Sequence, residues 1–482
     1  MPANFSRRER VLVALCVLLF CTVLFGGRGL QEVSARESAQ GDLFKELKIF
    51  TDVLAIVQRD YVQVVPNKQL VEGSIRGMLA TLDPHSGYLD PDFYQDLQVQ
   101  TKGHFGGLGI EITIKDGLLV VVAPMEGSPA ERAGIRAGDA IIKIEGKFTK
   151  EFSLVDAVKR LRGPKGSTIN ISIARAGTKK LIDVVVMRDD ITVKSVKSRY
   201  LEDGFGYVRV SQFMENTASD LRAAIERMEK HSKVNPLRGL VIDLRNNPGG
   251  LLTQAIRVTD MFLKEGVIVY TEGRVESQKQ KFFAHGRGTE PDYPLIVLIN
   301  GGSASASEIV AGALKDHGRA LLLGTRTFGK GSVQTITPLE NGGALTLTTA
   351  LYYTKSGRSI QATGVDPDVE LDVTPPEAKE TLSDDESLQQ KLNIRESDLE
   401  GAIRNPNGGG DDGSDALRKL NRTPTERKDL TSIDPEKEDL KTWLARDPQV
   451  ARALELLKTF DIFKAKGQKA SPAKVAAQIG RS

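Results

Sequence analysis

The sequence predicts an α/β protein built from several parts, and three observations support this. Strand and helix patterns alternate over residues 189–375, as they do in α/β domains. Short alternating strands separated by glycine turns occupy residues 101–188 and indicate a β-rich domain. Residues 36–100 place apolar side chains at helical spacing. A chain of 482 residues is long enough to fold these regions as two or three domains.

Composition restricts the classes of function. The chain has 66 basic and 63 acidic residues, a net charge of +3, which gives no basic footprint for nucleic acid. Its two cysteines, Cys16 and Cys21, lie in the N-terminal apolar segment, so no disulfide or thiol nucleophile is available beyond it. Its 5 histidines form no HExxH motif, which argues against a zinc peptidase. We therefore expect no metal, no other cofactor and no nucleic-acid partner.

The N-terminus, residues 1–35, has the pattern of an export signal. Three arginines precede a 15-residue apolar run at 11–25, which is shorter than the roughly 20 residues of a spanning helix. Val33-Ser34-Ala35 has the spacing of a cleavage site, so both a cleaved signal peptide and a retained anchor stay open. Either way, the rest of the chain crosses the membrane. We expect an extracytoplasmic protein of the periplasm or cell envelope, with membrane contact only through this segment.

The β-rich region contains the two glycine motifs of a peptide-binding module. Gly107-Leu108-Gly109-Ile110 opens an alternating strand, and AGIRAGD follows at residues 133–139. This arrangement resembles a PDZ domain, which we assign to residues 101–188. In such a domain, the loop N–H groups bind a C-terminal carboxylate and the strand pairs with the peptide by β-augmentation. The expected partner is a protein or peptide with an apolar C-terminus.

Three hydroxyl side chains follow the apolar run 295–299 and open a helical pattern: Ser303, Ser305 and Ser307. Ser305 is the predicted nucleophile, because the positive end of a helix favours developing negative charge. The sequence from Ser305 to Glu308 also has the form of a capping box, in which a helix amide would occupy the hydroxyl. Ser303 could cap the helix instead and leave Ser305 to point inward.

A lysine is the predicted base. Phe328-Gly329-Lys330-Gly331 lies between an apolar and an alternating strand, which suits a buried loop. Only a neutral amine accepts a proton, and burial lowers the pKa of a lysine. Gln334 is expected to hold the amine through its carboxamide oxygen. A fully extended 330–334 segment would separate the end Cα atoms by about 13 Å, so this contact requires a bend, expected at Gly331.

A turn after another apolar strand is expected to supply an oxyanion donor. Residues 243–250 are DLRNNPGG, and turns from strand to helix expose backbone N–H groups. Gly249 and Gly250 are the candidate donors. His85, in the turn DPHSG, is assigned a turn or core position rather than a catalytic one.

In this order, the motifs resemble those of the C-terminal processing peptidases, also called tail-specific proteases. The resemblance covers roughly residues 44–369, including LDPHSGYL at 82–89 and LYYTKSGRSIQATGVDPD after the lysine. It implies a crotonase-like ββα-spiral core at residues 189–375, preceded by the PDZ domain, with helical extensions at both ends.

The same resemblance assigns roles to individual residues. It implies Ser305 as nucleophile, Lys330 as general base and Gln334 as the orienting residue. It also implies an oxyanion hole formed by the backbone N–H groups of Ala306 and of a glycine at 249 or 250.

The expected function is that of a serine endopeptidase. The PDZ domain would capture a substrate C-terminus, and a dyad of Ser305 and Lys330 would hydrolyse the chain through an acyl-enzyme. One alternative is a proteolytically inactive PDZ scaffold, although such a protein has no reason to keep the nucleophile and the base. Another is an acyl-CoA-type enzyme on the same fold, which explains neither the PDZ motifs nor the lysine.

The C-terminal region, residues 376–482, is predicted to contain an acidic Gly-rich linker and a helical tail. An amphipathic helix is expected at residues 448–460. This helix has little to bury against in its own region, so we expect it to meet a partner. The candidates are a homo-oligomer formed through the N- and C-terminal helices and an adaptor protein.

Overall fold

The computed structural model describes residues 43–115, 117–125, 127–178, 180–232, 235–372, 395–408, 435–436 and 438–469. The predicted export segment at 1–35, with its candidate anchor at 11–25, lies outside them, as does most of the predicted linker. Within the described ranges, no helix is long and apolar enough to cross a membrane.

Ten α-helices and nineteen strands are defined within the described residues. The helices are α1 (43–60), α2 (Asn67–Ala80), α3 (Pro91–Lys102), α4 (Pro129–Arg132), α5 (Leu154–Leu161), α6 (Thr217–Ser232), α7 (Leu252–Asp260), α8 (Ala306–Asp316), α9 (Leu440–Arg446) and α10 (Pro448–Lys469). The first ten strands are β1 (Gly87–Leu89), β2 (His104–Gly107), β3 (Ile110–Lys115), β4 (Leu118–Pro124), β5 (Ala140–Ile144), β6 (Lys147–Phe148), β7 (Thr168–Ala174), β8 (Ile182–Met187), β9 (Asp189–Thr192) and β10 (Val196–Tyr200). The others are β11 (Phe205–Val210), β12 (Gly239–Asp243), β13 (Val267–Gly273), β14 (Gln280–Phe283), β15 (Leu295–Ile299), β16 (Leu321–Gly324), β17 (Ser332–Pro338), β18 (Ala344–Tyr353) and β19 (Val369–Glu370).

The N-terminal helices form a unit of their own that ends at Met78. The predicted helical spacing is confirmed, because residues 43–60 form one continuous helix. Several apolar side chains of α1 are exposed, and Phe44 keeps 71% of its surface accessible. This unit therefore carries an uncovered apolar surface.

The second unit begins at Leu79, and it contains the predicted β-rich module after β1 and α3. Strands β3, β4, β5, β7 and β8 form one sheet in that order, with β6 on β5. Ile141, Ile169 and Ile171, which alternate with less buried neighbours, pack in its core. Strand β3 lies at the edge of this sheet. Pairing of β2 with β9 brings the two ends of the module together.

The predicted alternation of strands and helices is confirmed in the α/β core. Strands β10, β11, β12, β15, β16 and β19 form a sheet in that order, parallel from β11 onward. Helices α6, α7 and α8 cover one face, where Ile242 and Val297 contribute to the core. Val241 and Ile296 point to the opposite face. Since successive side chains of a strand alternate between faces, these apolar runs need a cover on both sides.

Helix α10 supplies the second cover, which corrects our expectation that it has little to bury against. Val450, Ala453, Leu454 and Leu457 are buried in one cluster with Trp443 and the second face of the sheet. The predicted helical face is thus right, but its partner is the sheet of the same chain. Phe460, which completed the predicted apolar face, is exposed.

A buried ion network joins this C-terminal helix pair to the DLRNNPGG turn. The Arg245 guanidinium donates to Asp243 at 2.6 Å and to Asp447, between α9 and α10, at 2.7 Å. Gln449 accepts a further hydrogen bond from Arg245, at 2.8 Å. All three charged residues are at most 2% exposed, so the charges depend on one another for compensation.

We expect Asp447→Asn to lower the free energy of unfolding by about 3 kcal/mol, because it removes one counter-charge from a buried guanidinium. Chemical denaturation of the full chain measures this. Asp439→Asn is the matched control: Asp439 is the exposed N-cap of α9 and accepts from Thr442 N–H at 3.1 Å. Asparagine caps a helix about as well as aspartate, so we expect the free energy of unfolding of this control variant to change little. Equal losses in the two variants would contradict a stabilising role for the network.

An antiparallel sheet carries the remaining motifs. Strands β1, β18, β13 and β14 lie in that order, and β17 also pairs with β18. The LDPHSGYL segment joins this sheet as β1, where Gly87 lies opposite Thr346 of β18. This pairing brings residues 82–89 beside β18, which also pairs with β17, the strand that follows the Lys330 loop.

Candidate active site

Ser305 begins helix α8 in a strained backbone conformation. Its φ is 55° and its ψ is −113°, a backbone conformation that residues other than glycine rarely adopt. The Ser305 hydroxyl makes no capping bond; the Glu308 N–H donates instead to the main-chain carbonyl of Ser305 at 2.9 Å. The reciprocal half of the capping box is present, since Ser305 N–H donates to the Glu308 carboxylate at 2.8 Å. The helix therefore leaves the Ser305 hydroxyl available.

The other two hydroxyls of the cluster are occupied. Ser303 Oγ donates to the Leu244 carbonyl at 2.8 Å and accepts from Asn300 N–H at 3.0 Å. Ser307 Oγ donates to the Asn247 carbonyl at 2.9 Å. The expectation that Ser303 could cap α8 is thus wrong, because its hydroxyl is used to tie the chain to the DLRNNPGG turn. Both side chains are fully buried.

The DLRNNPGG turn lies directly against Ser305. A Cβ atom built on Gly249 would lie 2.8 Å from Ser305 Cβ and 3.1 Å from Ala306 N. The Gly249 N–H already donates to Asn247 Oδ1 at 2.9 Å. Gly250 forms a parallel bridge with Phe213, which uses the Gly249 carbonyl and the Leu251 N–H. This bridge does not consume the Gly250 N–H.

Gly250 is also a position where only glycine fits. Its φ is 134°, and a Cβ atom there would lie 2.2 Å from the Phe213 carbonyl oxygen. Of the two candidate glycines, Gly249 has its N–H bonded to Asn247, which leaves the Gly250 N–H as the candidate donor to a ligand.

The Glu308 carboxylate links the Ser305 and Lys330 segments. One oxygen accepts from the N–H groups of Ser305 and Lys330, at 2.8 and 2.9 Å. The other accepts from Gly329 N–H at 2.8 Å and from the Thr327 hydroxyl at 2.5 Å. Glu308 is fully buried, and burial raises its pKa to about 7 against these donors, which lower it.

The sequence predicts Glu308 only as a capping partner. Its local signal is the Ser-x-x-Glu pattern, which the structure satisfies in part. The contacts of Glu308 with residues 327–330 join segments about 20 residues apart. No local sequence pattern predicts such contacts. An acidic residue at the start of the small and apolar run 306–314 is the available signal, because a buried carboxylate must have partners.

Lys330 lies in a largely buried loop: Gly329 and Gly331 are buried, and Lys330 itself is partly exposed. Burial lowers the pKa of its amine, and the nearby carboxylates of Glu396, Asp83 and Glu308 oppose this shift. In the described part of the chain, the amine forms no ion pair. The Lys330 carbonyl accepts from the buried Tyr352 hydroxyl, which also contacts the Ser305 side chain. Tyr352 thus lies between the two predicted catalytic residues.

Gln334 is not bonded to Lys330. Its amide donates to Ser332 Oγ at 3.0 Å and to Thr348 Oγ1 at 3.3 Å. The irregularity in β17 falls between Val333 and Gln334 rather than at the predicted Gly331. The bend therefore turns Gln334 toward β18, and the expected contact with the amine is not formed in this conformation.

The DPHSG turn contacts β18 next to Gln334. Asp83 accepts hydrogen bonds from the N–H groups of His85 and Ser86, each at 2.9 Å. It also accepts from Thr348 Oγ1 at 3.0 Å. Thr348 in turn contacts Gln334, so the turn is linked to the site through β18. The assignment of His85 to a turn agrees with this geometry.

Two backbone hydrogen bonds to its carbonyl groups hold the predicted carboxylate-binding loop of the β-rich module in place. The carbonyl of Leu108 accepts from Ala130 N–H at 2.9 Å, and that of Gly109 from Met125 N–H at 2.8 Å. Leu108 is buried, whereas Ile110 is partly exposed at the start of the edge strand β3. Gly107, the first residue of the loop, ends β2 opposite Asp189. The open side of β3 can accept an added strand.

Three family models match the sequence. Peptidase family S41 matches residues 204–371, the PDZ domain matches 120–175, and the activating protease CtpB N-terminal domain matches 27–93. The predicted nucleophile, the predicted base and the DLRNNPGG turn all fall within the first of these ranges.

Known proteins resemble the chain over most of its length. A carboxy-terminal-processing protease of Bartonella bacilliformis is 48% identical over 361 residues, which are 75% of this chain and 81% of that protein. Carboxy-terminal processing protease CtpB of Bacillus subtilis is 32% identical over 378 residues, 74% of this chain and 77% of that protein. Among solved structures, a photosystem II D1 C-terminal processing protease is 34% identical. It covers 67% of this chain and 86% of its own, with a TM-score of 0.40.

Proposed function

The chain belongs to peptidase family S41, the carboxy-terminal processing proteases, and is a serine peptidase with a PDZ domain; we propose that Ser305 is its nucleophile and Lys330 its general base. The observation that carries this proposal is the Glu308 carboxylate, which binds the N–H groups of both residues. A single buried group thereby fixes the two segments relative to each other. Its substrates are proteins or peptides.

The proposed reaction follows from these positions. Ser305 Oγ attacks the scissile carbonyl carbon while Lys330 Nζ takes the hydroxyl proton. The N–H groups of Ala306 and Gly250 stabilise the oxyanion. The C–N bond then breaks, and the leaving amine takes the proton from Lys330. Water, deprotonated by Lys330, attacks the acyl carbon; the ester C–O bond then breaks, and Lys330 returns the proton to Ser305 Oγ.

Two further roles complete the proposal. Gln334 orients the Lys330 amine once substrate binding brings its carboxamide closer, since catalytic hydrogen bonds often tighten only in the complex. The PDZ domain, assigned to residues 101–188, captures an apolar substrate C-terminus and delivers the chain to the protease core at 189–375. The intact nucleophile and base favour this function over an inactive scaffold.

The substrate C-terminus tests the proposal. An unfolded substrate with a free C-terminal carboxylate should have a KM roughly 10- to 100-fold lower than the same substrate with a C-terminal amide, because hydrogen bonds to a charged group are worth about 1.5–3 kcal/mol. We expect kcat to differ little, since this contact is equal in the ground and transition states. N-terminal acetylation of the substrate is the matched control.

Ser305→Ala separates capture from hydrolysis in the same experiment. This variant should cleave neither substrate and still bind the free carboxylate more tightly. Equal KM values for the two substrates would overturn PDZ capture. Cleavage by Ser305→Ala would overturn the nucleophile.

We also propose an extracytoplasmic location, in the periplasm or cell envelope. The basic flank and the apolar run at 11–25 support it, with this run serving as a membrane anchor unless it is cleaved. The exposed apolar side chains of α1, such as Phe44, support homo-oligomerisation through the N-terminal helices. Phe460 is the corresponding exposed residue on α10. An adaptor protein is the alternative partner for these surfaces.

A further inference from the structure

A segment beyond the S41 match is bonded to the loop that carries Lys330. We call it the strap, residues 395–408. Its first residues form a 3₁₀ turn, Glu396–Asp398. Glu396 is fully buried, which is rare for a carboxylate unless its oxygens are bonded.

Glu396 has partners from three separate parts of the chain. Its N–H donates to the Phe328 carbonyl at 3.2 Å. Its carboxylate bonds His85 Nε2, at 2.9 and 2.8 Å to the two oxygens. It also accepts from Gln361 Nε2 at 2.9 Å. The carboxylate therefore connects the DPHSG turn with the residues that follow β18.

Gln361 transmits this contact to the lysine loop. Its side-chain oxygen accepts from Gly331 N–H at 2.9 Å, and the next residue, Ala362, donates its N–H to the Gly329 carbonyl at 2.8 Å. A Cβ atom on Gly331 would lie 2.5 Å from Gln361 N, so the two backbones are in close contact. Asn405 of the strap donates to the Gln361 carbonyl at 2.8 Å. Both neighbours of Lys330 are thus fixed by residues that the strap holds.

We propose that the strap is a positioning element for Lys330, in which Glu396 fixes the loop through Gln361 and places a negative charge facing the amine. This inference rests on the proposed role of Lys330 as general base. Glu396 acts through Lys330 and is a positioning residue. The segment matched by the peptidase family would then be incomplete without the strap.

The charged groups around the amine define the expected effect. The carboxylates of Glu396 in the strap, Asp83 in the DPHSG turn and Glu308 in α8 all raise the pKa of Lys330, and Glu396 does so most strongly. His85 faces Glu396 from the other side. The Tyr352 hydroxyl, which is neutral, contacts the Lys330 carbonyl. Removing the Glu396 charge favours the neutral amine, so the base form becomes available at lower pH.

Glu396→Gln tests the inference through the pH profile of kcat in the full chain. We expect kcat at its plateau to fall by roughly tenfold or more from lost positioning, with KM unchanged. The acidic limb of the profile should move to lower pH. Glu396→Asp keeps the charge and should leave the limb in place. Asp398→Asn is the matched control, because this exposed carboxylate caps the same turn by accepting from Arg395 N–H.

The outcomes are distinguishable. If Glu396→Gln has the kcat of the wild type and the same acidic limb of the pH profile, while Lys330→Ala is inactive, the strap inference alone is overturned. Retained activity in Lys330→Ala overturns the proposed base. If Glu396→Gln is recovered only unfolded, Glu396→Asp decides: a wild-type plateau kcat overturns the inference, and a reduced kcat with an unmoved limb supports it.

Discussion

Lys330→Ala is expected to lower kcat by roughly 10³-fold or more and to leave KM for tail-bearing substrates nearly unchanged. The amine is the proposed proton acceptor, and its removal leaves Ser305 as an ordinary alcohol. The backbone of the loop is held by the Glu308 carboxylate and the Tyr352 hydroxyl rather than by the lysine side chain. We therefore expect the fold to survive, which thermal unfolding would verify.

Lys330→Arg distinguishes a base from a structural charge. Arginine keeps the positive charge and the length, but it does not lose its proton at accessible pH. It should therefore be as inactive as alanine. Lys355→Ala, at an exposed lysine of the same core, is the matched control and should retain wild-type kcat. Substantial hydrolysis by either Lys330 variant would contradict the dyad.

The pH profile of the wild type should rise from acidic to alkaline pH. Burial lowers the pKa of Lys330, so the neutral amine becomes populated below the pH at which free lysine would lose its proton. Glu308 acts in the same direction: with a pKa of about 7, it becomes the ionised four-bond acceptor as pH rises. Deprotonation of Lys330 and the four hydrogen bonds of ionised Glu308 both favour the active form at higher pH, although the Glu308 charge by itself raises the pKa of Lys330.

Local patterns predicted the elements well, because periodicity depends on which faces are buried. The run LIVLI at 295–299 is apolar at every position, which indicates burial on both faces. The sequence did not reveal that α10 covers the second face, since the two segments are about 150 residues apart. The exposure of α1 could not be predicted either, because an amphipathic pattern shows which helix face is apolar but not which element covers it.

In the candidate site, too, local patterns predicted individual residues but not their long-range contacts. Motif order singled out Ser305 and Lys330, and a buried loop for the lysine was predictable from its flanking strands. The occupied hydroxyls of Ser303 and Ser307 were not, because their acceptors lie in the DLRNNPGG turn about 60 residues earlier. The bond between His85 and Glu396 spans 311 positions. Such contacts depend on tertiary packing, which leaves no local periodicity.

Glu308→Gln is expected to lower kcat by roughly 10²-fold and the free energy of unfolding by about 3 kcal/mol. Four donors converge on the carboxylate: the N–H groups of Ser305, Gly329 and Lys330 and the Thr327 hydroxyl. A carboxamide offers only one oxygen, and its NH₂ group would face donors. Leaving a buried donor unsatisfied costs about 1–3 kcal/mol, and more where a charged group is lost.

The loss of activity should exceed what unfolding explains, because the carboxylate sets the position of the nucleophile relative to the base. Displacement by about 1 Å is enough to cost about 10²-fold in rate. Kinetics well below the melting temperature, normalised to the folded fraction, measure this effect. Glu340→Gln, at an exposed carboxylate in the turn between β17 and β18, should match the wild type in both stability and kcat. A folded Glu308→Gln protein with wild-type kcat would show that Ser305 and Lys330 are held by other contacts, and that the shared carboxylate serves only the fold.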